Sequence, residues 1–295
     1  MRRALVIGWF SFELMGATAG DHIAKELAGE WLREAGLAVD IAVHEGAGRG
    51  EIRTSDVDPA GYQELIFVCG PIGDGPPLNT FLERFPHARK FALNVTLLQD
   101  RSEWDPFELS LERDSSERVR ADVTFGAADA VAPVVGLILV GAQDEYPTQR
   151  HADAEALLRK LLAERDIAVV EIDTRLDVNA GGLCSAAQVE SVIARTDAVL
   201  TTRLHGAALA LRRGVPPLAL DSIPGGSKLL QQMRHLDWPA AFEIGDVDLP
   251  RLRSALDFAL SPAARRLARE RSAAARGDVD RTRREFLDAV LAVRT

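Results

Sequence analysis

The stretch TDAVLTTRLHGAALALRRGVPPLALDSIPGGSKLL, residues 196–230, decides how this chain folds. An apolar run, Ala198 to Leu200, ends in two threonines. A segment with apolar residues at helical spacing follows, and then a second apolar run from Val215 to Leu220. Two short, fully apolar runs joined by a helix mark a βαβ unit, in which parallel strands are covered on both faces. Polar groups stand where those strands end. Arg203 and His205 follow the first, and Lys228 follows the Gly-rich loop after the second.

The same alternation extends in both directions. Upstream lie a strand in 132–142, a helix over 151–164 with Leu157, Leu158, Leu161 and Leu162 on one side, a strand at 167–173 and a helix at 184–195. The quoted stretch then supplies a strand at 197–202, a helix at 205–213, a strand at 215–221 and a helix from about 227. Nearer the N-terminus, strands are predicted at 4–8, 36–43, 64–70, 90–98 and 107–114. Asp21 is placed to N-cap a helix whose apolar stripe is Ile23, Leu27, Trp31 and Ala35. From Leu249 the chain reads as charged helix with a break near Gly277. The expected architecture is α/β: two facing Rossmann-type domains with parallel sheets, residues 1–130 and 131–295, the second carrying a C-terminal helical segment.

Bulk properties narrow the function. Thirty-five Lys and Arg stand against 44 Asp and Glu in 295 residues, a net charge of -9. That balance argues against nucleic acid as the main partner. Cys69 and Cys184 make neither a disulfide framework nor a metal-ligand spacing, and both read as buried apolar residues in a reducing compartment. No metal is expected. The apolar run in MRRALVIGWF is too short for a signal sequence, and no later segment approaches the ~18 apolar residues of a membrane span. A cytoplasmic protein, able to form a homodimer, is the expectation.

Ligands of open parallel sheets bind beyond the carboxyl ends of the strands. Arg203 brings a planar fork suited to phosphate or carboxylate, and the start of the following helix favours an anion. His205 can donate to a phosphate oxygen or move a proton. Lys228 leaves the neighbouring strand, with Gly225 and Gly226 permitting close backbone approach. The plainer alternatives are that Arg203 pairs with Asp197, that His205 caps the helix and that Lys228 is solvated. In the first domain GWFSFELMGATAGD follows the first strand, but Gly8, Gly16 and Gly20 are too widely spaced for a dinucleotide fingerprint. Asp21 is either a cap or a base presented to an acceptor, and Asp74 is a turn residue or an acceptor contact. Arg113 and Asp114 end a strand and pair on the surface or reach inward.

The 196–228 segment, with its Arg-Leu-His after a strand, then Gly-Val-Pro and a lysine, resembles the polysaccharide pyruvyl transferase family, and Gly20-Asp21 matches the end of that family's N-terminal glycine loop. Where the family usually reads Asn-Ile/Leu-Gly-Asp, this chain has ATAGD. The resemblance implies a GT-B-like fold with phosphoenolpyruvate as co-substrate and no further cofactor. It implies transfer to two hydroxyls of a sugar or sugar-like acceptor, forming a cyclic pyruvate ketal and releasing phosphate. Arg203, Leu204, His205, Lys228, Gly225 and Gly226 then fall on the donor side, and Gly20, Asp21 and Asp74 on the acceptor side. Arg203, His205 and Asp21 are the catalytic candidates. Two other readings stay open: a GT-B glycosyltransferase using a nucleotide sugar, for which Glu190 would be the ribose-binding acid, and a non-catalytic binding protein on the same fold.

Overall fold

A computed structural model describes residues 2–13, 16–45, 52–114, 119–128, 130–141 and 148–292. It divides into two units, Met1–Asp129 and Ala130–Thr295. In the N-terminal unit β1 (Arg3–Ile7), α1 (Ala19–Glu34), β2 (Ala38–Val43), β3 (Ile52–Arg53), β4 (Glu64–Val68), β5 (Pro71–Ile72), α2 (Leu78–Leu82), β6 (Arg89–Leu97) and β7 (Leu109–Glu112) follow in order. The strands form one sheet in the order β3-β2-β1-β4-β6, with β7 and β5 both on the outer edge of β6. Every pairing is parallel. β4 is buried along its whole length and β1 along all but its first residue, which is why Leu65–Val68 and Ala4–Ile7 read as apolar runs.

α1 starts earlier than its sequence suggests. Thr18 is the N-cap and Asp21 lies three residues inside, as the return half of a capping box. Asp21 Oδ2 accepts from the Thr18 backbone N–H at 2.7 Å and from its hydroxyl at 2.8 Å, so two polar groups at the helix entry are satisfied reciprocally. The apolar stripe is also different. Ile23 and Trp31 are 38% and 43% exposed, and the buried face is Ala24, Lys25, Leu27, Ala28 and Gly29. Close packing on the sheet selects small side chains: a Cβ at Gly29 would stand 3.3 Å from Ile41 Cδ1.

The C-terminal unit runs β8 (Val134–Ile138), α3 (His151–Ala163), β9 (Ala168–Glu171), α4 (Ala186–Ile193), β10 (Ala198–Thr201), α5 (Leu204–Arg212), β11 (Pro217–Asp221), α6 (Lys228–His235), β12 (Ala241–Glu243), α7 (Leu249–Ala259) and α8 (Pro262–Ala292). Its parallel sheet has the order β12-β11-β10-β8-β9. Leu158, Leu161 and Leu162 of α3 are buried against it, with Leu157 at the margin. β9, despite the sequence AVVE, is an exposed edge strand. The helical break lies at Ser261, not at Gly277. Pro262 cannot continue α7 but suits a first turn, and the Ser261 hydroxyl accepts from Ala264 N–H at 3.2 Å. Gly277 is carried inside α8 at the usual cost of about 1 kcal/mol. Among the described residues no helix is long and apolar enough to cross a membrane. Cys69 is buried, as expected, but Cys184 is exposed.

Candidate functional site

In the C-terminal sheet the chain leaves β8 toward β9 on one side, then returns to place β10 on the other. Loops at the carboxyl ends of β8 and β10 therefore diverge, and such a reversal leaves a crevice. A cavity of about 240 Å³ lies there. Its walls are Val140 after β8, Thr202 to His205 after β10, and the segments around Ser222 and Lys228 after β11.

The threonine pair builds the first wall. Thr201 Oγ1 donates to the Ile138 carbonyl at 2.8 Å and accepts from Arg203 N–H at 2.9 Å, while Thr202 Oγ1 accepts from Val140 N–H at 2.9 Å. Two side chains thus knit strand ends to the turn. Gly206 then lets α5 close on the sheet, since a Cβ there would meet Thr201 Oγ1 at 2.4 Å and Ile138 Cγ2 at 2.9 Å. α5 begins with Arg203 as N-cap and without a side-chain cap, so its first N–H groups are left for a ligand. The Arg203 guanidinium makes no ion pair among the described residues, and its Nε is sealed from solvent without a hydrogen-bond partner. An unmet buried donor of this kind costs about 1–3 kcal/mol. It is the least satisfied cation of the pocket.

Asp221 builds the second wall. Only 2% exposed, it accepts from Ile223 N–H at 3.1 Å, Ser227 N–H at 2.6 Å, the Ser227 hydroxyl at 2.9 Å and Leu230 N–H at 3.1 Å. One carboxylate therefore folds the loop and caps the third position of α6. Gly225 and Gly226 do not line the cavity. They supply the φ values of +83° and +77° that let the loop turn. Lys228 is the first residue of α6 and lines the cavity with Arg203, Leu204 and His205. The three residues read from sequence all line one pocket, with His205 and Lys228 exposed, and Asp221, whose role no spacing announced, organises it.

The plainer pairings are not formed. Asp197 accepts from Val134 N–H and pairs with Arg265 at 3.2 Å instead of Arg203. His205 is the second residue of α5 and does not cap it. Glu190, the candidate ribose acid, is buried and held by Arg212 and Arg213.

The N-terminal candidates are placed differently. The loop after β1 folds inward: Phe10 is fully buried, Ser11 Oγ accepts from Gly8 N–H and donates to the Ala42 carbonyl, and Trp9 lies over Gly70. Gly20 is the second residue of α1, and Asp21 Oδ1 makes no hydrogen bond among the described residues while Oδ2 caps. Asp74 is a turn residue, bonded to Asn79 and, through its N–H, to Gln99. Arg113 joins Asp114, Asp122 and Thr96. Burial works to raise the Asp122 carboxyl, but bonds from Thr124 and Asn94, with Arg113 beside them, bring it down to about 2.

No family model matches the sequence, and no curated protein resembles it. Among solved structures, the glycotransferase of kitacinnamycin is 14% identical over 94% of this chain and 95% of its own, with a TM-score of 0.35. A spinosyn rhamnosyltransferase is 14% identical over 86% and 74%, at 0.34. The UDP-GlcNAc 2-epimerase from Methanocaldococcus jannaschii is 8% identical over 90% and 94%, at 0.33. Similarity at this level assigns neither donor nor acceptor, so the chemistry has to come from the pocket.

Proposed function

We propose that the chain is a transferase whose C-terminal unit holds a small phosphate-bearing donor, phosphoenolpyruvate, for transfer to a hydroxylated, sugar-like acceptor. The carrying observation is Arg203, a partly buried guanidinium with an unmet Nε–H at the start of α5, which lacks a side-chain cap. Such a set favours an anion with two charged groups, each charge-assisted bond contributing about 1.5–3 kcal/mol. Size supports the smaller donor, since larger ligands generally occupy ~300–1,000 Å³ and this cavity has about 240 Å³. Charge is in keeping with it, because Glu190, the acid considered for a ribose, is committed to Arg212 and Arg213.

In the proposed reaction the methylene carbon of phosphoenolpyruvate takes a proton, and the adjacent carbon becomes oxocarbenium-like. One acceptor hydroxyl adds there and gives up its proton. The bond to the phosphate oxygen then breaks, and a second hydroxyl closes the ketal. One hydroxyl proton ends on the methyl group and the other leaves with phosphate. Arg203 and Lys228 bind the anion and stabilise the departing charge. His205 contacts phosphate or carries the proton, and Asp21, with Oδ1 uncommitted, is the candidate acceptor base.

Glycosyl transfer from a nucleotide sugar is the second reading, because Arg203, Lys228 and the uncapped start of α5 suit a diphosphate as well as a phosphate and a carboxylate. Thermal denaturation with phosphoenolpyruvate against uridine and guanosine diphosphates separates them. Stabilisation by phosphoenolpyruvate alone, with phosphate release on addition of a sugar panel, is expected. Stabilisation by a diphosphate alone would replace the first reading by the second. Full turnover in Asp21→Asn would remove the base assignment.

A further inference from the structure

The cavity has one more polar group that neither the motif nor its spacing indicates. Ser222 follows Asp221 at the end of β11 and lines the cavity, and the residue is buried. Its Oγ lies 2.5 Å from Nδ1 of His151, the first residue of α3. The two segments are also joined through the backbone, Arg150 N–H donating to the Ser222 carbonyl at 2.8 Å. The imidazole therefore has a fixed place behind the pocket wall. Burial moves the His151 pKa down, with the nearby Asp221 carboxylate acting against it.

A neutral imidazole has one N–H, and two arrangements are available. If Ser222 donates to Nδ1, the proton sits on Nε2, and Nε2 is sealed from solvent with no hydrogen-bond partner among the described residues. That leaves a buried N–H unmet, the rarer and costlier of the two orphans. If the proton sits on Nδ1, it is donated to Ser222 Oγ, and Nε2 keeps only an unmet lone pair. The serine hydroxyl hydrogen is then free of the histidine. It can then be offered to the cavity that Ser222 lines, where an anionic oxygen bound between Arg203 and the α5 start would accept it.

We propose that Ser222 is a further anion-binding residue of this pocket and that His151 is its positioning residue, holding the hydroxyl with Nδ1–H so that its hydrogen faces the ligand. The inference rests on the pocket taking an anion and not on which donor supplies it. A hydroxyl so held adds one neutral donor to a site of cations, fixing the orientation of a phosphate or carboxylate that point charges alone leave free to rotate.

The test uses the full chain with inorganic phosphate and phosphoenolpyruvate as ligands in calorimetric titration. Ser222→Ala is expected to weaken binding by roughly tenfold, as loss of one hydrogen bond to an anion does. His151→Leu should match it. His151→Asn, whose side-chain amide can stand where Nδ1–H stood, should return binding to within about threefold of the parent. Side-chain nitrogen NMR of the unliganded protein should show His151 protonated on Nδ1, which a merely space-filling histidine has no reason to prefer. Protonation on Nε2, or a Ser222→Ala protein that binds both ligands as the parent does, would overturn the inference alone. Failure of the parent protein to bind either ligand would overturn it together with the anion reading.

Discussion

Replacing Arg203 by methionine sets ligand binding against stability. The long apolar stem is kept, so little packing is lost, while the guanidinium and its unmet Nε–H are removed. A buried donor without a partner costs about 1–3 kcal/mol. For a domain of this size each kcal/mol moves the midpoint by about 2–4 °C. Arg203→Met should therefore melt higher than the parent without ligand, by about 2–12 °C. With phosphoenolpyruvate or phosphate the order should reverse, because the parent gains stability from binding and the variant loses one charge-assisted contact, roughly 10- to 100-fold in affinity. Calorimetric unfolding with and without ligand reads both effects in one set of scans. An Arg203→Met protein that melts lower than the parent and still gains the full ligand shift would refute the reasoning, since Arg203 would then be a structural cation.

Three further outcomes follow from the geometry. Gly206→Ala drives a methyl into Thr201 and Ile138, so it should cost about 1–3 kcal/mol in chemical denaturation and also weaken phosphate binding, because the start of α5 is pushed off the pocket. Desolvation raises the Cys69 thiol to about 11, so at pH 8 a thiol reagent should label Cys184 in seconds to minutes and leave Cys69 unmodified until the protein unfolds, as mass spectrometry of the folded chain would show. Asp122, held at about 2 against an ordinary 3.8, contributes stability that is complete above pH 4 and is lost as pH falls through 2. With partial exposure allowed for, roughly 1–2 kcal/mol is at stake. Asp122→Asn should show a flatter stability profile between pH 4 and pH 2 in urea titrations.

The parallel strands could be read because burial on both faces writes them as apolar runs, and β1, β4, β10 and β11 all carry that mark. The two-residue strands β3 and β5 contain too few residues to show any period. The face of α1 was misjudged because size, not hydropathy, decided which side met the sheet: Ala24 and Ala28 fit beneath, and Trp31 does not. Gly277 is no break because a glycine ends a helix only where the chain adopts a left-handed turn, and the stop is Ser261-Pro262, before the first turn of α8. Within the pocket, Arg203, His205 and Lys228 were legible as polar groups at strand ends. Asp221 and His151 were not. The first acts through backbone N–H groups that no side-chain spacing records, and the second meets Ser222 across a separation of 71 residues.

Trp9 stands over Gly70, so close that a Cβ there would meet its ring at 2.3 Å, with its Nε1–H on the Pro71 carbonyl and Phe67 edge-on at 5.3 Å. The carboxyl ends of β1 and β4 are in effect stoppered by the chain's own indole. Removing the stopper with Trp9→Gly would leave a flat, apolar slot with one carbonyl at its rim, and free indole added to that variant should refill it and restore the lost melting temperature.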